Sequence, residues 1–231
     1  MKTVILGATK GLGLELVKKF LAEGHTVAAG VIDRSVPDAL AQLIDQYGNE
    51  SLTVFQADVT DEQEIAKGAQ QCKDILGEID ILVNVAGVLL PGDRVNPLYK
   101  CDIAELRKTF EVNTIGAIIA VKCFYPVMKK GGKYFTITSE GVGVKNPGDW
   151  VPCYALSKTA ETKIAGMMNL IVDDVEFYSV HPGRMNTDMG KSTAQIEAWE
   201  SAAGIYGMAN GDIPVSTDEW YIDYKGEVMP A

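Results

Sequence analysis

The stretch CYALSKTAETK places a tyrosine and a lysine four residues apart, as Tyr154 and Lys158. Its composition predicts a helix, on which both side chains project from the same face. A phenol that exchanges a proton with an alcohol oxygen near neutral pH needs its pKa brought from about 10 toward about 7. A fixed ammonium beside the phenol favours the phenolate. The pair is therefore a candidate acid/base site, although without context the commoner arrangement at this spacing is a packed tyrosine and a solvated lysine.

A glycine-rich turn near the amino terminus is the second candidate site. The segment GATKGLG spaces its glycines as GxxxGxG, between a predicted strand and an amphipathic helix. Its members that we assign to the site are Gly7, Thr9, Lys10, Gly11, Leu12 and Gly13. Unpaired N–H groups at the start of a helix attract phosphate, and glycines let the backbone approach a ligand closely. The segment predicts a pyrophosphate site; the alternative is a tight turn with no ligand.

Short β-type runs alternate with longer helical patterns along the chain, and this order predicts the element positions. The predicted strands are 3–8, 25–32, 52–58, 79–87, 131–140, 175–183 and 219–228, and the longest helix between them runs from Ile103 to Lys129. Repeated crossovers of this kind imply a parallel sheet with helices on both faces. We predict an α/β fold, doubly wound around about seven parallel strands, that forms one domain over residues 1–231.

The totals of the composition argue against several classes of protein. The 231 residues are 47% apolar and 23% charged, which is typical of a globular protein. The net charge of −10 would repel a nucleic-acid backbone. No secretion signal is recognised and no apolar run approaches the ~18 residues of a membrane span, so we expect no membrane partner and a cytoplasmic location. The four cysteines lack CxxC spacing, so we expect reduced thiols and no metal.

Three motifs occur together in one order: the glycine turn, then NVAG at residues 84–87, then Tyr154 and Lys158. In this combination the chain resembles the short-chain dehydrogenase/reductase family, from Val4 to about Thr187. The resemblance implies a Rossmann fold and NAD(P)(H)-dependent hydride transfer between nicotinamide and a small or medium carbonyl or alcohol. The glycine spacing matches the compact oxidoreductase branch better than the epimerases or dehydratases. A non-catalytic dinucleotide sensor or scaffold stays a second hypothesis.

The same resemblance adds two residues to the reactive set. Ser139 stands where the family has a serine that donates a hydrogen bond to the substrate oxygen, and Thr138 is the alternative if the strand register slips by one. Asn113 stands where the family has an asparagine that interrupts a helix and holds a water leading to the lysine. The other interpretations are a serine that ends a strand and an asparagine that bonds to neighbouring backbone.

The cofactor signal is mixed at the end of the second predicted strand. Lys10 resembles the basic residue that favours NADP(H), with Arg34 as a second contact, whereas Asp33 leaves NAD(H) open. The resemblance assigns further cofactor contacts to Asp58, Val59, Asn84, Ala86, Gly87, Tyr154, Lys158, Pro182, Gly183, Met185 and Thr187. His181 precedes the Pro-Gly break and is interpreted as a packing residue at the end of a strand.

The segment from Met189 to Ile213 is expected to cover the substrate, as the corresponding stretch does in the family. Four side chains form either an apolar wall of the substrate pocket or part of the core, namely Trp150, Cys153, Trp199 and Tyr206. The helix after Tyr154 has an apolar stripe wide enough to contact a neighbour as well as the sheet. By analogy with the family we expect a homodimer or homotetramer.

Overall fold

A computed structural model describes residues 1–190 and 194–230. Within these residues one sheet of seven parallel strands has the order β3-β2-β1-β4-β5-β6-β9. Its strands are β1 (Lys2–Leu6), β2 (Thr26–Val31), β3 (Leu52–Gln56), β4 (Ile79–Asn84), β5 (Met128–Ile137), β6 (Val175–His181) and β9 (Tyr221–Asp223). A separate short pair is β7 (Met185–Asn186) with β8 (Ile196–Glu197). The predicted doubly wound parallel sheet is confirmed.

Helices cover both faces of this sheet. They are α1 (Gly11–Ala22), α2 (Asp38–Tyr47), α3 (Glu62–Leu76), α4 (Ile103–Phe110), α5 (Gly116–Phe124), α6 (Pro152–Ile171) and α7 (Ala198–Asn210). Buried side chains of α1, α2 and α7 form the core on one face, and those of α3, α5 and α6 form the core on the other. These six helices therefore bury an apolar stripe against the sheet.

Strand β1 shows why the sheet lies in the middle. Val4 and Leu6 point into the core under α3 and α5, whereas Ile5 points into the core under α1 and α7. All three side chains are completely buried. Successive residues of a strand face opposite sides, so a strand covered on both faces has an uninterrupted apolar sequence.

The middle helix and the last strand differ from the prediction. The α-helical run ends at Phe124, and a 3₁₀ turn continues it only to Val127 rather than Lys129. Strand β5 begins at Met128 because Met128 already pairs with β4. The run also widens into a π-helical turn over Glu111–Ile115. Strand β9 has three residues instead of the ten predicted, since a turn follows and Val228 folds back onto Ile222. Tertiary pairing, which the local pattern does not record, decides these ends.

By its length and composition, the stretch Ile103–Val127 could cross a membrane. The expectation that the chain contains no such stretch is therefore wrong by these two criteria. In the fold this stretch covers the sheet. Ala120 and Phe124 are completely buried against it, and Lys122 on the outer side pairs with Glu62 of α3 at 2.5 Å. Part of its apolar surface therefore belongs to the core, whereas Ile103, Ile115 and Ile118 are exposed.

The segment predicted to cover the substrate mostly belongs to the helical layer. Helix α7 packs against α1, where the Tyr206 ring contacts the Phe20 ring edge-on at 5.3 Å between centroids. The Tyr206 hydroxyl lies 3.2 Å from the His25 ring, just before β2. Tyr206 therefore lies near the amino end of the sheet and is not a wall of the pocket. Residues 191–193 of this segment lie outside the described residues.

All four cysteines are free thiols. Cys72 and Cys153 are buried, and Cys101 and Cys123 are partly exposed. Burial raises the pKa of the Cys72 thiol to about 12, which keeps it protonated and unreactive. Among the described residues no group of three metal-ligating side chains comes together.

Candidate active site

The glycine turn forms a cradle between β1 and α1. Gly7 has a φ of +80°, and a Cβ added there would lie 2.9 Å from the backbone nitrogen of Ala86. A Cβ added at Gly13 would lie 2.1 Å from the Gly7 carbonyl oxygen, so no larger residue fits either position. In the described structure no side chain caps the amino end of α1, where Lys10 is extended. The first N–H groups of α1 therefore have no side-chain cap, as the predicted pyrophosphate site requires.

Two side chains of this turn reach in different directions. Thr9 Oγ1 donates a hydrogen bond of 3.0 Å to Asp33, which follows β2. Lys10 Nζ pairs with Asp188 at 3.1 Å, beyond β7. The carboxylate of Asp33 thus lies against the glycine turn, whereas Lys10 extends across to the loop after β6. Arg34 stays exposed beside Asp33.

Several residues predicted to contact the cofactor also hold the fold together. Asp58 Oδ1 accepts bonds from the Thr60 nitrogen at 2.9 Å and the Thr60 hydroxyl at 2.7 Å. The Val59 side chain is buried against α5, where it would clash with any Cβ at Gly116. Asn84 Oδ1 accepts a 3.2 Å bond from Ala86. These contacts fix the carboxyl ends of β3 and β4, which is where ligands bind in such sheets.

The Pro-Gly break after β6 closes the other side of the cradle. Pro182 is buried and Gly183 turns the chain with a φ of +80°. The chain then enters β7 at Met185, and Thr187 comes so near that a Cβ added at Gly11 would lie 3.5 Å from it. His181 ends β6, and burial lowers its pKa, so a neutral imidazole at the strand end is expected. Of the predicted residues of this loop, Thr187 borders the glycine turn at Gly11.

Tyr154 is anchored through its backbone. It stands in the first turn of α6, where Asp93 Oδ1 and Oδ2 accept bonds of 2.8 Å each from the backbone nitrogens of Cys153 and Tyr154. Asp93 belongs to a short 3₁₀ turn after β4, Pro91–Arg94, and is 4% exposed. A carboxylate at the amino end of a helix satisfies free N–H groups and complements the helix dipole. No local sequence signal pointed to Asp93.

Lys158 lies beneath Tyr154 and is almost fully buried. Its Nζ lies 5.8 Å from the centroid of the Tyr154 ring and donates a 2.7 Å bond to the Ile137 carbonyl of β5. The Nζ also pairs with the Glu161 carboxylate at 2.6 Å. A Cβ added at Gly87 would lie 3.2 Å from the same Nζ. The ammonium therefore lies where α6, β5 and the end of β4 meet.

Glu161 is a charged residue of the site that sequence reasoning missed. Its side chain is completely buried, and Thr136 Oγ1 of β5 donates a 2.7 Å bond to its Oε1. Glu161 follows Lys158 by three residues, so the spacing on the helix was a usable signal. A charge on the face of α6 that meets the sheet needs a partner there, and Lys158 is that partner.

Asn113 lies in the π-helical turn between α4 and α5 and is completely buried. Its Oδ1 accepts a 2.7 Å bond from the Val88 nitrogen, and its Nδ2 donates to the Val88 carbonyl at 2.9 Å. The same Nδ2 donates to Ser157 Oγ of α6 at 3.0 Å. The helix is thus interrupted at Asn113, whose amide ties it to the chain after β4. The water relay assigned to Asn113 stays a prediction.

The serine and threonine after β5 face different environments. Thr138 is 1% exposed, and its hydroxyl contacts the Thr162 hydroxyl under α6, so the alternative assignment of Thr138 is wrong. Ser139 is half-buried, and its Oγ accepts a 3.2 Å bond from the Gly141 nitrogen. The Tyr221 hydroxyl anchors the Ser139 carbonyl at 2.8 Å. Since Oγ acts as acceptor in that bond, its proton is available to a substrate oxygen.

The electrostatics of Tyr154 differ from the expectation. Burial is the main cause that raises the pKa of this phenol above its usual value. Lys158 and Arg94 lower it, whereas the Glu161 carboxylate raises it further. The prediction of a lowered pKa is therefore wrong for the protein alone. Burial lowers the pKa of Lys158, but Glu161 and Tyr154 together raise it, so the ammonium stays charged.

Comparisons with known proteins agree with this geometry. The family model described as short chain dehydrogenase matches residues 2–198. The 2,3-dihydro-2,3-dihydroxybenzoate dehydrogenase of Bacillus subtilis (strain 168) is 30% identical over 216 residues, which cover 90% of this chain and 77% of that protein. The 1-deoxy-11-beta-hydroxypentalenate dehydrogenase of Streptomyces exfoliatus is 28% identical over 219 residues, which cover 94% of this chain and 75% of that protein. The solved structure of an NADPH-bound carbonyl reductase from chicken fatty liver superposes with a TM-score of 0.87 at 21% identity. The match covers 100% of this chain and 94% of the reductase chain.

The fold and the site define a Rossmann-type α/β protein with a dinucleotide cradle and a tyrosine–lysine centre at the carboxyl end of the sheet. The chain belongs to the short-chain dehydrogenase family. The predictions of the family, of the fold and of an NAD(P)-dependent oxidoreductase acting on hydroxyl or carbonyl groups are confirmed.

Proposed function

We propose that this protein is an NADP(H)-dependent carbonyl reductase in which Tyr154 is the general acid. The observation that carries the proposal is the position of Tyr154: Asp93 fixes its backbone, and the buried Lys158 ammonium lies beneath its ring. A phenol held beside a fixed cation can pass a proton to a developing alkoxide. The dinucleotide, when bound, supplies the hydride.

The chain's own residues have separate roles in this proposal. Gly7, Gly11 and Gly13 open the cradle, and the amino end of α1 binds the pyrophosphate. Ser139 donates a hydrogen bond from its hydroxyl to the substrate oxygen and so stabilises the charge that develops there. Tyr154 completes the alcohol by giving up its proton, and Lys158 stabilises the phenolate that remains.

The choice of NADP(H) over NAD(H) is supported by the charges around the glycine turn. Lys10 is an exposed cation at the mouth of the cradle, and its partner Asp188 is also exposed, so solvent screens the pair and leaves it weak. A ligand phosphate can therefore draw Lys10 away. Asp33 beside Thr9 is the observation that favours NAD(H), because a carboxylate there accepts bonds from a ribose hydroxyl. The NADPH-bound carbonyl reductase of similar fold supports the first alternative.

The substrate is proposed to be a small or medium carbonyl compound. Trp150 and Trp199 are both about half exposed, at 47% and 60%, whereas Cys153 is buried behind the first turn of α6. The Arg94 guanidinium donates to the Met189 carbonyl and so ties the turn after β4 to the loop after β7. The two exposed indoles support an apolar border of the substrate site.

The experiment that tests this function combines binding with turnover. Thermal unfolding should shift upward with NADPH, and less with NADH. A panel of ketones and aldehydes should then cause loss of the NADPH absorbance, and Tyr154→Phe should lower that rate by at least about 100-fold while it keeps the thermal shift. Binding without turnover for any member of the panel, unchanged in Tyr154→Phe, would instead identify a dinucleotide sensor.

We propose a homodimer as the assembly. Apolar side chains recur on the outer face of α6, with Leu156 at 46%, Met167 at 58% and Leu170 at 91% exposure. Ile115 and Ile118 are exposed on the neighbouring α5 region. Aliphatic side chains on adjacent helices form a patch of the kind that interfaces bury. Two copies related by a two-fold axis would cover it.

The cytoplasm is the proposed location. Four free thiols, two of them partly exposed, suit a reducing compartment, because exposed thiols oxidise readily outside it. An NADPH-dependent reductase also needs a pool of reduced cofactor. Fractionation of cells that express the chain at natural levels tests the location, and recovery with membranes or in the medium would contradict it.

A further inference from the structure

The Lys158 ammonium lies between two groups of α6 that can carry negative charge. Tyr154 precedes it by one helical turn, and Glu161 follows it by three residues. The Nζ to carboxylate distance is 2.6 Å, while the Nζ lies 5.8 Å from the centre of the tyrosine ring. The closer partner is therefore the carboxylate. This arrangement makes Lys158 one half of a buried ion pair.

Strand β5 holds the carboxylate in place. Thr136 Oγ1 donates to Glu161 Oε1 at 2.7 Å, and the Ile137 carbonyl accepts from Lys158 Nζ at 2.7 Å. Adjacent residues of one strand thus bind the two ends of the pair. Burial raises the pKa of Glu161, and the bonds from Lys158 and Thr136 oppose that effect. A pair bonded at both ends has little freedom to separate.

The other charges around the two groups are few. Arg94 and Asp93 approach Tyr154 from the turn after β4, Arg94 through its charge and Asp93 through the backbone nitrogen. On β5, the buried Tyr134 phenol lies near Glu161, whose negative charge adds to burial in raising the pKa of Tyr134. Glu161 is therefore the carboxylate whose charge acts on the side chain of Tyr154.

We propose that Glu161 is a positioning residue that holds Tyr154 in its protonated form, by neutralising the Lys158 ammonium, as long as no oxidised nicotinamide is bound. This inference rests on the proposed reductase function and deepens it, because a protonated phenol is the form that carbonyl reduction requires. The positive charge of oxidised nicotinamide would favour the phenolate, so the proton-donor state belongs to the reductive half of the cycle.

The test is the titration of Tyr154 in the protein without cofactor. Tyrosine labelled with 13C at Cζ gives one NMR signal per phenol, and Tyr154→Phe identifies the signal concerned. In Glu161→Gln the unneutralised ammonium should lower the titration midpoint of Tyr154 by about one pH unit or more, a tenfold change in the ionisation constant. An unchanged midpoint overturns the inference, including the case in which Glu161 is already uncharged in the native protein.

Thr136→Val is the matched control for a purely structural role. It removes a hydrogen bond from the same buried network but leaves both charges, so it should lower thermal stability and leave the Tyr154 midpoint in place. If Glu161→Gln does not fold, Glu161→Asp keeps the charge and withdraws it from Lys158 by one methylene. That variant should shift the midpoint in the same direction by a smaller amount, and no shift in it overturns the inference.

The titration needs neither dinucleotide nor turnover, so its outcome separates the two proposals. A lowered Tyr154 midpoint in Glu161→Gln, in a protein that never oxidises NADPH, would support the role of Glu161 and contradict the reductase function. If the protein is a reductase, Glu161→Gln should also shift the pH profile of alcohol oxidation to lower pH, by the same number of pH units as the Tyr154 midpoint. A profile that stays in place while the rate changes overturns the role of Glu161.

Discussion

Asp93 Oδ2 accepts a 2.8 Å hydrogen bond from the backbone nitrogen of Tyr154, 61 residues further along the chain. The contact joins the turn after β4 to the first turn of α6. It fixes where α6 begins, and hence where the phenol stands relative to the glycine cradle. Since Asp93 is buried, the bond is protected from water and from salt.

Replacing Asp93 by alanine should lower the free energy of unfolding by about 1–2 kcal/mol, the usual cost of a lost helix cap. It should also lower kcat by at least about tenfold, because a displacement near 1 Å at the reacting group is costly. Asp61→Ala is the matched control, since Asp61 caps α3 through bonds to Gln63 and Glu64 at 2.9 and 3.0 Å. Chemical denaturation and steady-state rates measure both effects. Equal losses of kcat in the two variants would contradict the role of Asp93.

Replacing Asn113 by alanine should remove the two hydrogen bonds that join the π-helical turn to Val88, in the chain after β4. The loss leaves the Val88 backbone groups unpaired, at a cost of about 1–3 kcal/mol for each buried group. Asn169→Ala is a close control, because Asn169 makes the same two bonds with Phe177, at 2.9 Å each, far from the cradle. Both variants should lose stability in denaturant titrations, but only Asn113→Ala should lose activity.

The charges at the cradle predict the effect of two substitutions on cofactor choice. Lys10→Ala should weaken NADPH binding by about tenfold, since one charge-assisted contact contributes about 1.5 kcal/mol. Its effect on NADH should be small, and Asp33→Asn should show the opposite pattern. Calorimetric titration of both dinucleotides measures the constants, with Lys18→Ala as the control for a cation of α1 away from the turn. A Lys10→Ala variant that binds NADPH as well as the native protein would contradict the assignment.

The raised pKa of Tyr154 predicts the pH dependence of the reaction. Below that pKa the phenol is protonated and donates, so kcat/KM for carbonyl reduction should be flat through neutral pH and fall as the pH rises past it. Alcohol oxidation requires the phenolate, so its rate should rise over the same range. Initial rates from pH 6 to about pH 11 measure both limbs. A reduction rate that falls from pH 6 upward would mean that another group donates the proton.

The apolar face of α6 predicts the assembly state. Leu156→Glu together with Met167→Glu should convert a dimer into a monomer, because two carboxylates per copy would be buried in the interface. Ile75→Glu, on the exposed side of α3, is the control and should leave the dimer intact. Sedimentation velocity measures the size of all three proteins. A native protein that sediments as a monomer would refute the dimer directly.

Much of the fold is determined by local sequence. Three neighbouring features can be predicted from short stretches of sequence: the apolar run of β1, the GxxxGxG turn and the amphipathic α1. Each depends on backbone geometry over only a few residues. The same holds for Tyr154 and Lys158, whose spacing alone places them on one face of α6. These local features were sufficient for the sheet and the glycine turn, whereas the tyrosine–lysine centre was assigned from its order with the other motifs.

Tertiary structure alone decided the remainder. The end of α5 at Phe124 and the start of β5 at Met128 depend on pairing with β4, which lies more than forty residues earlier. Asp93 reaches Tyr154 across the fold, and Glu161 acquires its role from burial against Thr136. The pKa of Tyr154 is raised rather than lowered for the same reason, since burial and a third charge outweigh the neighbouring ammonium. Sequence spacing determines which groups are near on one helix; solvent exclusion and long-range contacts determine what their charges do.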